Sequence, residues 1–337
     1  MGSVIPLKKE INNSYLELKN LVGTKLDEVS QQTKYKLASE INLIHKMTNY
    51  HLDSGGKRIR PLLTLGAAKL CGYKNGNRDV NLAACVELIH NATLLHDDVI
   101  DNSDLRRGVK TTNSVWGNQS SILVGDYLLS RCFEMMVDDG SLEILKLLSS
   151  TSSKIAQGEV LQLEYKGEID LLEETYFNII NMKTAALFAA ATRVGACVGN
   201  KDKKEKDALE SYGKNLGLAF QIADDALDYF AKQTIFGKEI GKDFYEGKTT
   251  LPLIIIFQRG NSEERNFLKD IFKKKKRNED DFSETLALIN KYKAVQATFK
   301  RAEYFVNVSY DALGIFPDSK EKKILQGLTA FSLNRSF

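Results

Sequence analysis

The chain has 337 residues, of which 43% are apolar, and a formal net charge of +3 at pH 7. This composition is typical of a globular protein, and the small net charge excludes a strongly basic nucleic-acid-binding protein. No apolar run is long enough to span a membrane, and the polar start of the chain argues against a secretory signal peptide. The 4 cysteines form no C-x-x-C pair, which indicates buried thiols in a reducing, cytoplasmic setting.

Helical periodicity extends over almost the whole chain, and strand-like alternation is nearly absent. The run LPLIIIF has a strand-like composition but no strand partner, so we interpret it as a buried helix. No break in composition marks a domain boundary. We therefore predict an all-α fold, a single domain over residues 1–337, formed by one large helical bundle with a central active-site cavity. The predicted helices cover residues 8–29, 34–52, 61–71, 79–98, 120–137, 142–165, 172–198, 204–230, 252–258, 263–275, 282–293 and 296–313.

Two copies of an acidic pentad, Asp-Asp-x-x-Asp, lie in otherwise apolar helical runs. One copy is in LLHDDVIDNSD and the other is in FQIADDALDYF. Three carboxylates on about one helical turn repel one another unless cations neutralise them. Mg²⁺ is the natural partner, because it takes oxygen ligands from one or two carboxylates and from substrate phosphates. The candidate metal ligands are Asp97, Asp98, Asp101, Asp224, Asp225 and Asp228.

The spacing within each pentad indicates a shared helix face. The first and third acids are four residues apart and therefore lie on one side of their helix. Gln221 lies four residues before Asp225 and joins the second cluster. The alternative is a pair of solvated helix ends, whose acids would alternate with polar neighbours rather than with Leu, Ile and Ala. We favour several Mg²⁺ ions that hold one polyphosphate group between two helices.

Basic residues accompany the acids. The segment GGKRIRP, residues 55–61, places three cations in a glycine-rich turn, where backbone and arginine can both approach a phosphate; a plain surface loop is the alternative. His90 lies two helical turns before Asp97, about 10 Å away on the same face, although a lone His is often a core residue. Lys183 is costly to bury unless it meets an anion, and the alternative is a lysine that reaches the surface. The candidates for a second diphosphate are Gly56, Lys57, Arg60, His90 and Arg107.

With these elements the chain resembles the trans-isoprenyl diphosphate synthases, or polyprenyl synthetases, over about residues 50–325. The elements occur in the order typical of the family, and IHNATLLHDDVID and EGKTTLPL are most similar to the bacterial octaprenyl and decaprenyl synthases. The resemblance implies the isoprenoid synthase type of helical bundle and a homodimer. The matching elements are GGKRIRP, HNATLLHDDVID, RRG, GDYLLS, GEVLQL, MKTAALF, FQIADDALD and GKDFYEGKTTLPL.

The resemblance also implies an activity, because the family joins an allylic diphosphate to isopentenyl diphosphate. We expect a prenyltransferase that uses about three Mg²⁺ ions to neutralise the departing pyrophosphate. It would start from farnesyl diphosphate and make all-trans octaprenyl to decaprenyl diphosphate for quinone side chains. The residues implied are Asp97, Asp101 and Asp224 for the metal, Arg106, Lys183, Lys238 and Lys248 for the pyrophosphate, and Thr184 and Gln221 for the allylic cation.

Product length in this family depends on the residues just before the first pentad. Short-chain enzymes commonly carry Phe or Tyr four or five residues before the first Asp, where this chain has Thr93 and Ala92. Ile89 lies one turn further along. We therefore expect a tunnel that stays open past geranylgeranyl length. Candidates for its floor, on the helix around 120–137, are Phe133, Met135 and Met136.

Other protein functions share parts of this motif pattern. A class I terpene cyclase also uses an aspartate-rich motif, but it binds one diphosphate and lacks a second full pentad. A short-chain farnesyl or geranylgeranyl diphosphate synthase would share every motif, and a non-catalytic subunit of a heteromer would tend to lose acids that this chain keeps. The basic run 273–277 is interpreted as a solvated loop between helices, with a transient contact to an anionic membrane surface as the alternative.

Overall fold

The structure, a computed structural model, describes residues 7–230, 240–331 and 333, with side chains from residue 14 onward. Within these ranges the protein is almost entirely helical, which confirms the prediction of an all-α bundle. The strands form one short antiparallel hairpin, in which Leu105 pairs with Lys110 and Arg106 with Val109. The run LPLIIIF is a helix, as predicted.

The α-helices are numbered in chain order, and the strands are β1 (Leu105–Arg106) and β2 (Val109–Lys110). A π-helical turn, Asn181–Ala185, connects α9 to α10, and a 3₁₀ turn, Leu313–Ile315, follows α16. The helices are α1 Leu7–Val22, α2 Lys25–Lys36, α3 Asn42–Asp53, α4 Ile59–Leu70, α5 Arg78–Ile100, α6 Thr112–Trp116, α7 Asn118–Asp139, α8 Leu142–Glu164, α9 Glu173–Ile180, α10 Ala186–Val198, α11 Lys203–Leu227, α12 Lys242–Glu246, α13 Leu251–Arg259, α14 Ser262–Lys273, α15 Glu279–Lys291, α16 Ala294–Ala312 and α17 Lys320–Phe331.

Several predicted boundaries were wrong, each for a local reason. The predicted helix 8–29 is two helices, because Gly23 adopts a left-handed conformation with φ of +60° that ends α1. The predicted helix 34–52 begins later, at Asn42, since α2 continues to Lys36. The predicted helix 172–198 contains the π-helical turn. The two short helices α6 and α12 and the terminal helix α17 were missed.

Glycines allow α10 to lie unusually close to its neighbours. A Cβ atom on Gly213 of α11 would lie 2.3 Å from the carbonyl oxygen of Phe188 on α10. On the opposite side, a Cβ on Gly195 of α10 would lie 2.7 Å from the carbonyl oxygen of Thr64 on α4. Because α10 follows the π-helical turn directly, this packing between α4 and α11 fixes the position of that turn.

The buried apolar side chains form two clusters, and α11 supplies residues to both of them. Tyr212 of α11 is fully buried and donates a hydrogen bond of 2.7 Å to the carbonyl oxygen of Leu325 on α17, which ties the end of the chain to the bundle. The 4 cysteines are buried and free, as predicted. None of the described helices is long and apolar enough to cross a membrane.

Candidate active site

The first pentad lies at the end of α5, and its acids occupy two different environments. Asp98 is 1% exposed and accepts hydrogen bonds of 2.9 and 3.1 Å from Arg106 Nε. Arg106 Nη2 also lies 2.7 Å from Asp98 Oδ1, and this ion pair attaches β1 to the end of α5. Asp97 and Asp101 remain partly exposed on the other side of the helix. The geometry thus makes Asp97 and Asp101 accessible to a metal ion, whereas Asp98 is engaged with Arg106. The role of Asp98 as a metal ligand, and that of Arg106 toward pyrophosphate, stay predictions.

The two accessible acids of the first pentad differ in charge state. Burial raises the pKa of Asp97 to about 7, and the nearby carboxylates of Glu159 and Asp101 add to this effect, while Lys183 opposes it. Burial would also raise the pKa of Asp101, but Lys248 outweighs it through its charge and a 2.9 Å hydrogen bond, so the pKa is lowered. Asp97 is therefore protonated in part near pH 7, mainly because it is buried and to a lesser degree because other carboxylates lie close to it.

The acids of the second pentad also occupy two different environments, one buried and one partly exposed. Asp225 is 3% exposed and accepts hydrogen bonds from the Tyr176 hydroxyl at 2.6 Å and from the Gln221 amide at 2.8 Å. Asp224 and Asp228 remain partly exposed. Burial raises the pKa of Asp225 to about 7, although both hydrogen bonds act to lower it. Both carboxylate oxygens of Asp225 thus accept hydrogen bonds from within the protein, and the role of Asp225 as a metal ligand stays a prediction.

A further carboxylate, which sequence analysis missed, lies behind the second pentad. The backbone N–H of Asp243 donates to Asp228 Oδ2 at 3.0 Å, and burial together with the charges of Asp228 and Asp225 raises the pKa of the Asp243 carboxyl well above its usual range. Lys248 opposes this shift. The signal was present in the sequence, because Asp243 is one of the two acids of the GKDFYEGK stretch.

Lys183 projects from the π-helical turn. Its ammonium group donates to Glu159 Oε2 at 2.6 Å and to Gln162 Oε1 at 2.9 Å, both on α8. A Cβ on Gly158 would lie 2.9 Å from the backbone nitrogen of Lys183, so only glycine lets α8 approach this closely. π-helical turns are frequent at functional sites. Glu159 and Gln162, from the GEVLQL element, were not identified as partners from the sequence.

A chain of hydrogen bonds runs from Tyr176 to Thr184. The Thr184 hydroxyl donates to Gln221 Oε1 at 2.9 Å, and the Gln221 amide nitrogen donates to Asp225 Oδ1. Because Asp225 Oδ1 accepts from the amide nitrogen of Gln221, the amide oxygen of Gln221 faces Thr184. Because the hydroxyl proton of Thr184 is then used, its lone pairs remain for any cation that forms beside it.

The basic candidates lie together near the start of α4 and the middle of α5. The Arg60 guanidinium lies 4.7 Å from the ring centre of Phe188, and burial lowers the pKa of Arg60 to about 10 despite the nearby Glu87. Burial and the charges of Arg60 and Arg107 hold the pKa of His90 well below its usual range. His90 is therefore neutral near pH 7. Cations crowded so that they lower one another's pKa form a site suited to an anion.

Gly56 is required where the loop meets Arg107. Its φ is +152°, and a Cβ there would lie 2.6 Å from Arg107 Nη1. Lys57 is exposed beside it, and Arg58, with φ of +47°, starts α4 in a left-handed conformation. The structure thus brings Gly56, Lys57 and Arg107 together, and their role in binding a phosphate stays a prediction.

A cavity of about 130 Å³ lies among the predicted residues of the acidic half. Lys183, Thr184, Gln221, Asp225 and Lys248 line it, together with Tyr176 and several apolar side chains of α9. A larger groove, of about 440 Å³, lies elsewhere on the protein along Lys36 and the end of α7. That groove contains none of the predicted catalytic residues.

The oxygen donors fit a hard divalent cation. Among the described residues, no three His, Cys, Asp or Glu side chains converge closely enough to enclose a metal ion by themselves. The partly exposed carboxylates of Asp97 and Asp101 are the type of ligand that Mg²⁺ takes, commonly one or two of them together with substrate phosphates. The raised pKa of Asp97 indicates the same need for a cation.

The predicted chain-length residues lie on α5 and α7. Ile89 and Ala92 are fully buried, and Thr93 is partly exposed and donates to the carbonyl oxygen of His90. Met135 and Met136 are buried, but Phe133 is 43% exposed, so Phe133 does not form an internal floor within this chain. Lys238 lies outside the described residues.

Comparison with known proteins identifies relatives over nearly the whole chain. The family model described as polyprenyl synthetase matches residues 41–289. An octaprenyl diphosphate synthase of Haemophilus influenzae is 36% identical over 331 residues, which is 98% of this chain and 100% of the relative. The crystal structure of a decaprenyl diphosphate synthase from Rhodobacter capsulatus is 40% identical, with a TM-score of 0.91 over 95% of this chain and 99% of the other. A polyprenyl synthase from Caulobacter crescentus, complexed with calcium and isoprenyl diphosphate, is also 40% identical, with a TM-score of 0.91 over 95% and 98%.

Proposed function

This chain belongs to the polyprenyl synthetase family and is a trans-prenyltransferase, and we propose that it extends farnesyl diphosphate with isopentenyl diphosphate to octaprenyl, nonaprenyl or decaprenyl diphosphate. The observation that carries the proposal is the arrangement along α5. His90 lies among Arg60 and Arg107 in the middle of the helix, whereas Asp97 and Asp101 lie near Lys183 and Lys248 at its end. Two separate diphosphates can therefore bind along one helix.

Mg²⁺ is the proposed cofactor, with Asp97, Asp101 and Asp224 as the residues that would hold it. Polyprenyl synthetases depend on divalent metals, and the Caulobacter relative contains calcium. When bound, Mg²⁺ supplies positive charge to the pyrophosphate as it departs. We propose about three ions in the substrate complex, since hard cations of this kind share phosphate oxygens.

In the proposed reaction, Lys183 exchanges partners when the allylic diphosphate binds. In the structure its ammonium group contacts Glu159 and Gln162. A diphosphate carries more negative charge than one carboxylate, so it competes for Lys183 effectively. Lys248, whose ammonium group already reaches Asp101, would contact the same leaving group. Both lysines then stabilise charge that develops as the carbon–oxygen bond breaks.

Thr184 and Gln221 act on the allylic cation in this proposal. The hydrogen-bond chain from Tyr176 leaves the lone pairs of Thr184 available, and these are the atoms suited to a carbocation. The apolar side chains of α9 beside the cavity keep water away from the cation. The released proton passes to the departing pyrophosphate, so no protein base is needed.

A long-chain product is proposed because the residues that precede the first pentad are small. Ala92 and Thr93 are small side chains at the positions where short-chain enzymes place an aromatic ring. Met135 or Met136, which are both buried, would limit the far end. The named functions of the relatives support this length range. Supply of quinone side chains is the proposed use of such a product.

We also propose a homodimer of single-domain subunits in the cytoplasm. Apolar side chains project from α7 and α8, among them Leu123, Val137 and Val160, which are 60%, 64% and 66% exposed. Exposed apolar area of this kind marks an interface. The free, buried cysteines fit a reducing compartment. Analytical ultracentrifugation tests the dimer.

Delivery of a lipid product suggests a transient contact with an anionic membrane surface. The basic run 273–277 extends from the end of α14 into the loop before α15, as predicted for an interhelix segment. Within it, Lys274 bonds to Asp281 at 2.6 Å, and the Arg277 guanidinium lies 4.5 Å from the ring centre of Phe272. The remaining lysines of the run would supply the attraction to lipid. Co-sedimentation with anionic and neutral vesicles tests this contact.

The two-site assignment can be tested with two substitutions. Arg60→Ala removes a contact to isopentenyl diphosphate, so it should mainly raise the KM for that substrate. Lys183→Ala acts on the ionising allylic substrate and should lower kcat as well. Arg193→Ala is a matched control, because Arg193 pairs with Asp207 and Glu210 on α11, neither of which is a candidate site residue.

The expected result is a different kinetic profile for each substitution, with the control close to the wild type. If Arg60→Ala lowered kcat and Lys183→Ala only raised the KM for isopentenyl diphosphate, the assignment of the two diphosphate sites would be wrong. Turnover of farnesyl diphosphate in the absence of isopentenyl diphosphate would instead point to a cyclase.

A further inference from the structure

Two aromatic residues from opposite ends of the chain meet beside the phosphate-binding loop. The rings of Tyr15 on α1 and Phe331 on α17 are stacked, with centres 5.4 Å apart and an angle of 14° between their planes. Both residues lie outside residues 41–289, the part of the chain that the family model matches. Stacked aromatic pairs contribute modestly to stability wherever they occur, so stacking alone does not explain their position beside the loop.

Both residues contact Lys57, in different ways. The Tyr15 hydroxyl donates a hydrogen bond of 2.9 Å to the carbonyl oxygen of Lys57. The Lys57 ammonium group lies 4.9 Å from the ring centre of Phe331, which is the distance of a cation–π contact. One residue therefore fixes the backbone of Lys57, and the other fixes the end of its side chain.

The two terminal helices are firmly placed against the helix that follows the loop. A Cβ on Gly66 of α4 would lie 2.8 Å from the side chain of Leu18 on α1 and 3.3 Å from that of Leu325 on α17. A Cβ on Gly327 of α17 would lie 2.5 Å from the Ser14 hydroxyl oxygen on α1. Because glycines let these three helices approach closely, Tyr15 and Phe331 have little freedom to move relative to the start of α4.

The same loop has another contact with the amino-terminal helices. The Arg58 guanidinium donates a hydrogen bond to the Ser30 hydroxyl on α2. Burial raises the pKa of the Tyr15 phenol even though Arg58 opposes the shift, so the hydroxyl stays protonated and able to donate near pH 7. Lys57 and Arg58 are thus held by contacts with α1, α2 and α17, which carry none of the proposed catalytic residues.

We propose that Tyr15 and Phe331 are positioning residues that hold Lys57 in place for the diphosphate of isopentenyl diphosphate. A free lysine side chain loses considerable rotamer entropy when it binds an anion. Contacts that restrict Lys57 beforehand reduce that loss and strengthen binding. The inference rests on the proposed function, because it takes Lys57 to bind the second substrate.

Two conservative substitutions test the proposal. Tyr15→Phe keeps the stacked ring and removes the hydrogen-bond donor, and Phe331→Met keeps most of the volume and removes the aromatic face. Each should raise the KM for isopentenyl diphosphate about three- to tenfold, the effect expected for one lost contact. The kcat and the KM for farnesyl diphosphate should stay within about twofold of the wild type. Phe331→Tyr, which restores an aromatic face, should return the KM to near the wild-type value.

A double-mutant cycle separates positioning from a general structural role. In a Lys57→Ala background, Phe331→Met should raise the KM no further, because the group that it positions is gone. Tyr35→Phe on the surface of α2 is the matched control, since Tyr35 is 73% exposed. Thermal unfolding of every variant shows whether the fold is kept.

Two results would overturn the proposal. One is an equal rise of the KM in the Lys57→Ala background, and the other is a parallel loss of affinity for both substrates. Calorimetric titration with isopentenyl diphosphate makes the same comparison without turnover. A wild-type protein that binds this compound but does not turn over would contradict the proposed function, while the binding data would still decide the role of Tyr15 and Phe331.

Discussion

The Lys248 ammonium group donates a hydrogen bond of 2.9 Å to Asp101 Oδ2 and so connects residues 147 positions apart in the sequence. Asp101 closes the first pentad, and Lys248 follows the second. Burial would lower the pKa of Lys248, but the charges of Asp101 and Glu246 outweigh it and raise the pKa, so Lys248 is charged near pH 7. The first acidic helix and the loop after the second are therefore joined by one ion pair at the proposed pyrophosphate site.

The two neighbouring acids Asp97 and Asp98 should respond differently to substitution. Asp97→Ala should lower kcat by several orders of magnitude, because it removes a metal ligand. Asp98→Ala should instead lower the free energy of unfolding by roughly 2–4 kcal/mol, somewhat less than for a fully buried pair, since it leaves Arg106 unpaired while Arg106 is partly exposed. Steady-state kinetics and urea unfolding of both variants measure the two effects. If both variants lost kcat equally and Asp98→Ala lost no stability, the assignment of Asp97 to the metal and of Asp98 to the ion pair with Arg106 would be wrong.

The binding of Mg²⁺ should release a proton from Asp97. Its pKa is raised to about 7 without metal, so below pH 7 a cation must displace a proton, and above pH 7 it need not. The apparent Mg²⁺ affinity should therefore rise as the pH increases from 6 to 7 and then level off. Calorimetry with Mg²⁺ and pyrophosphate, in two buffers of different ionisation enthalpy, counts the protons released at each pH. Removal of metal with EDTA should abolish activity, and added Mg²⁺ should restore it.

Proton release that is absent at pH 6, or an affinity that falls as the pH rises, would contradict this account of Asp97. Asp97→Asn is the control, because an amide has no proton to lose in this range. It should reduce the pH dependence, and the part that remains would come from Asp225, whose pKa is also raised to about 7.

The hydroxyl of Tyr176 should influence catalysis without contact to substrate. Tyr176→Phe removes one hydrogen bond to Asp225, so the Gln221 amide and the Thr184 hydroxyl are less firmly oriented. We expect kcat to fall about three- to tenfold with little change in either KM. Tyr165→Phe is the matched control, since Tyr165 lines the same cavity. A change confined to KM, or an equal effect of the control, would sink this interpretation.

His51 should make the protein less stable in acid. Burial, together with Arg106, lowers its pKa to about 4 in the folded protein, against 6.5 for the unfolded chain. The unfolded state thus binds more protons between pH 4 and 6.5, and stability is lost as the pH falls through this range, by roughly 3 kcal/mol at most. Urea unfolding of the wild type and of His51→Gln measures the difference.

The free energy of unfolding of His51→Gln should fall less steeply with decreasing pH than that of the wild type. Part of the pH dependence should remain, because burial also lowers the pKa of His90. His45→Gln is the control, since His45 is exposed, and it should leave the slope unchanged. A slope identical in His51→Gln and the wild type would exclude His51 as its source.

Product length should respond to the residue five positions before Asp97. Ala92→Tyr should fill the space beside α5 and shorten the products while the metal chemistry continues. Because Ala92 is fully buried, thermal unfolding must confirm that the variant folds. Ala92→Ser, which adds little volume, is the control and should leave the product length unchanged. A folded Ala92→Tyr enzyme with wild-type products would show that the chain does not grow along this face.

Local spacing was enough to propose the residue types of the candidate site. Acids four residues apart share a helix face in any structure, and glycines beside cations form a loop wherever they occur. The partner of each side chain was not predictable in this way. Asp98 and Asp101 both looked like metal ligands, and only the tertiary structure shows that Asp98 faces Arg106 while Asp101 faces Lys248.

The irregular parts of the backbone also could not be predicted from the spacing of residues in the sequence. The π-helical turn that carries Lys183 depends on close packing of α8 at Gly158, which is a long-range contact. The break at Gly23 was readable, since glycine favours the left-handed conformation there, but helical periodicity on both sides concealed it. Tyr15 and Phe331 gave no motif, because their significance comes only from their contacts with Lys57.

The central claim, long-chain prenyl transfer, is tested most directly by one product analysis. Purified protein is incubated with Mg²⁺, farnesyl diphosphate and labelled isopentenyl diphosphate, and the dephosphorylated products are separated by reversed-phase chromatography. The account predicts all-trans products in the octaprenyl to decaprenyl range, and none when isopentenyl diphosphate is left out. Products that stop at geranylgeranyl length would contradict the long-chain assignment, and a protein that consumes no isopentenyl diphosphate would contradict prenyl transfer itself.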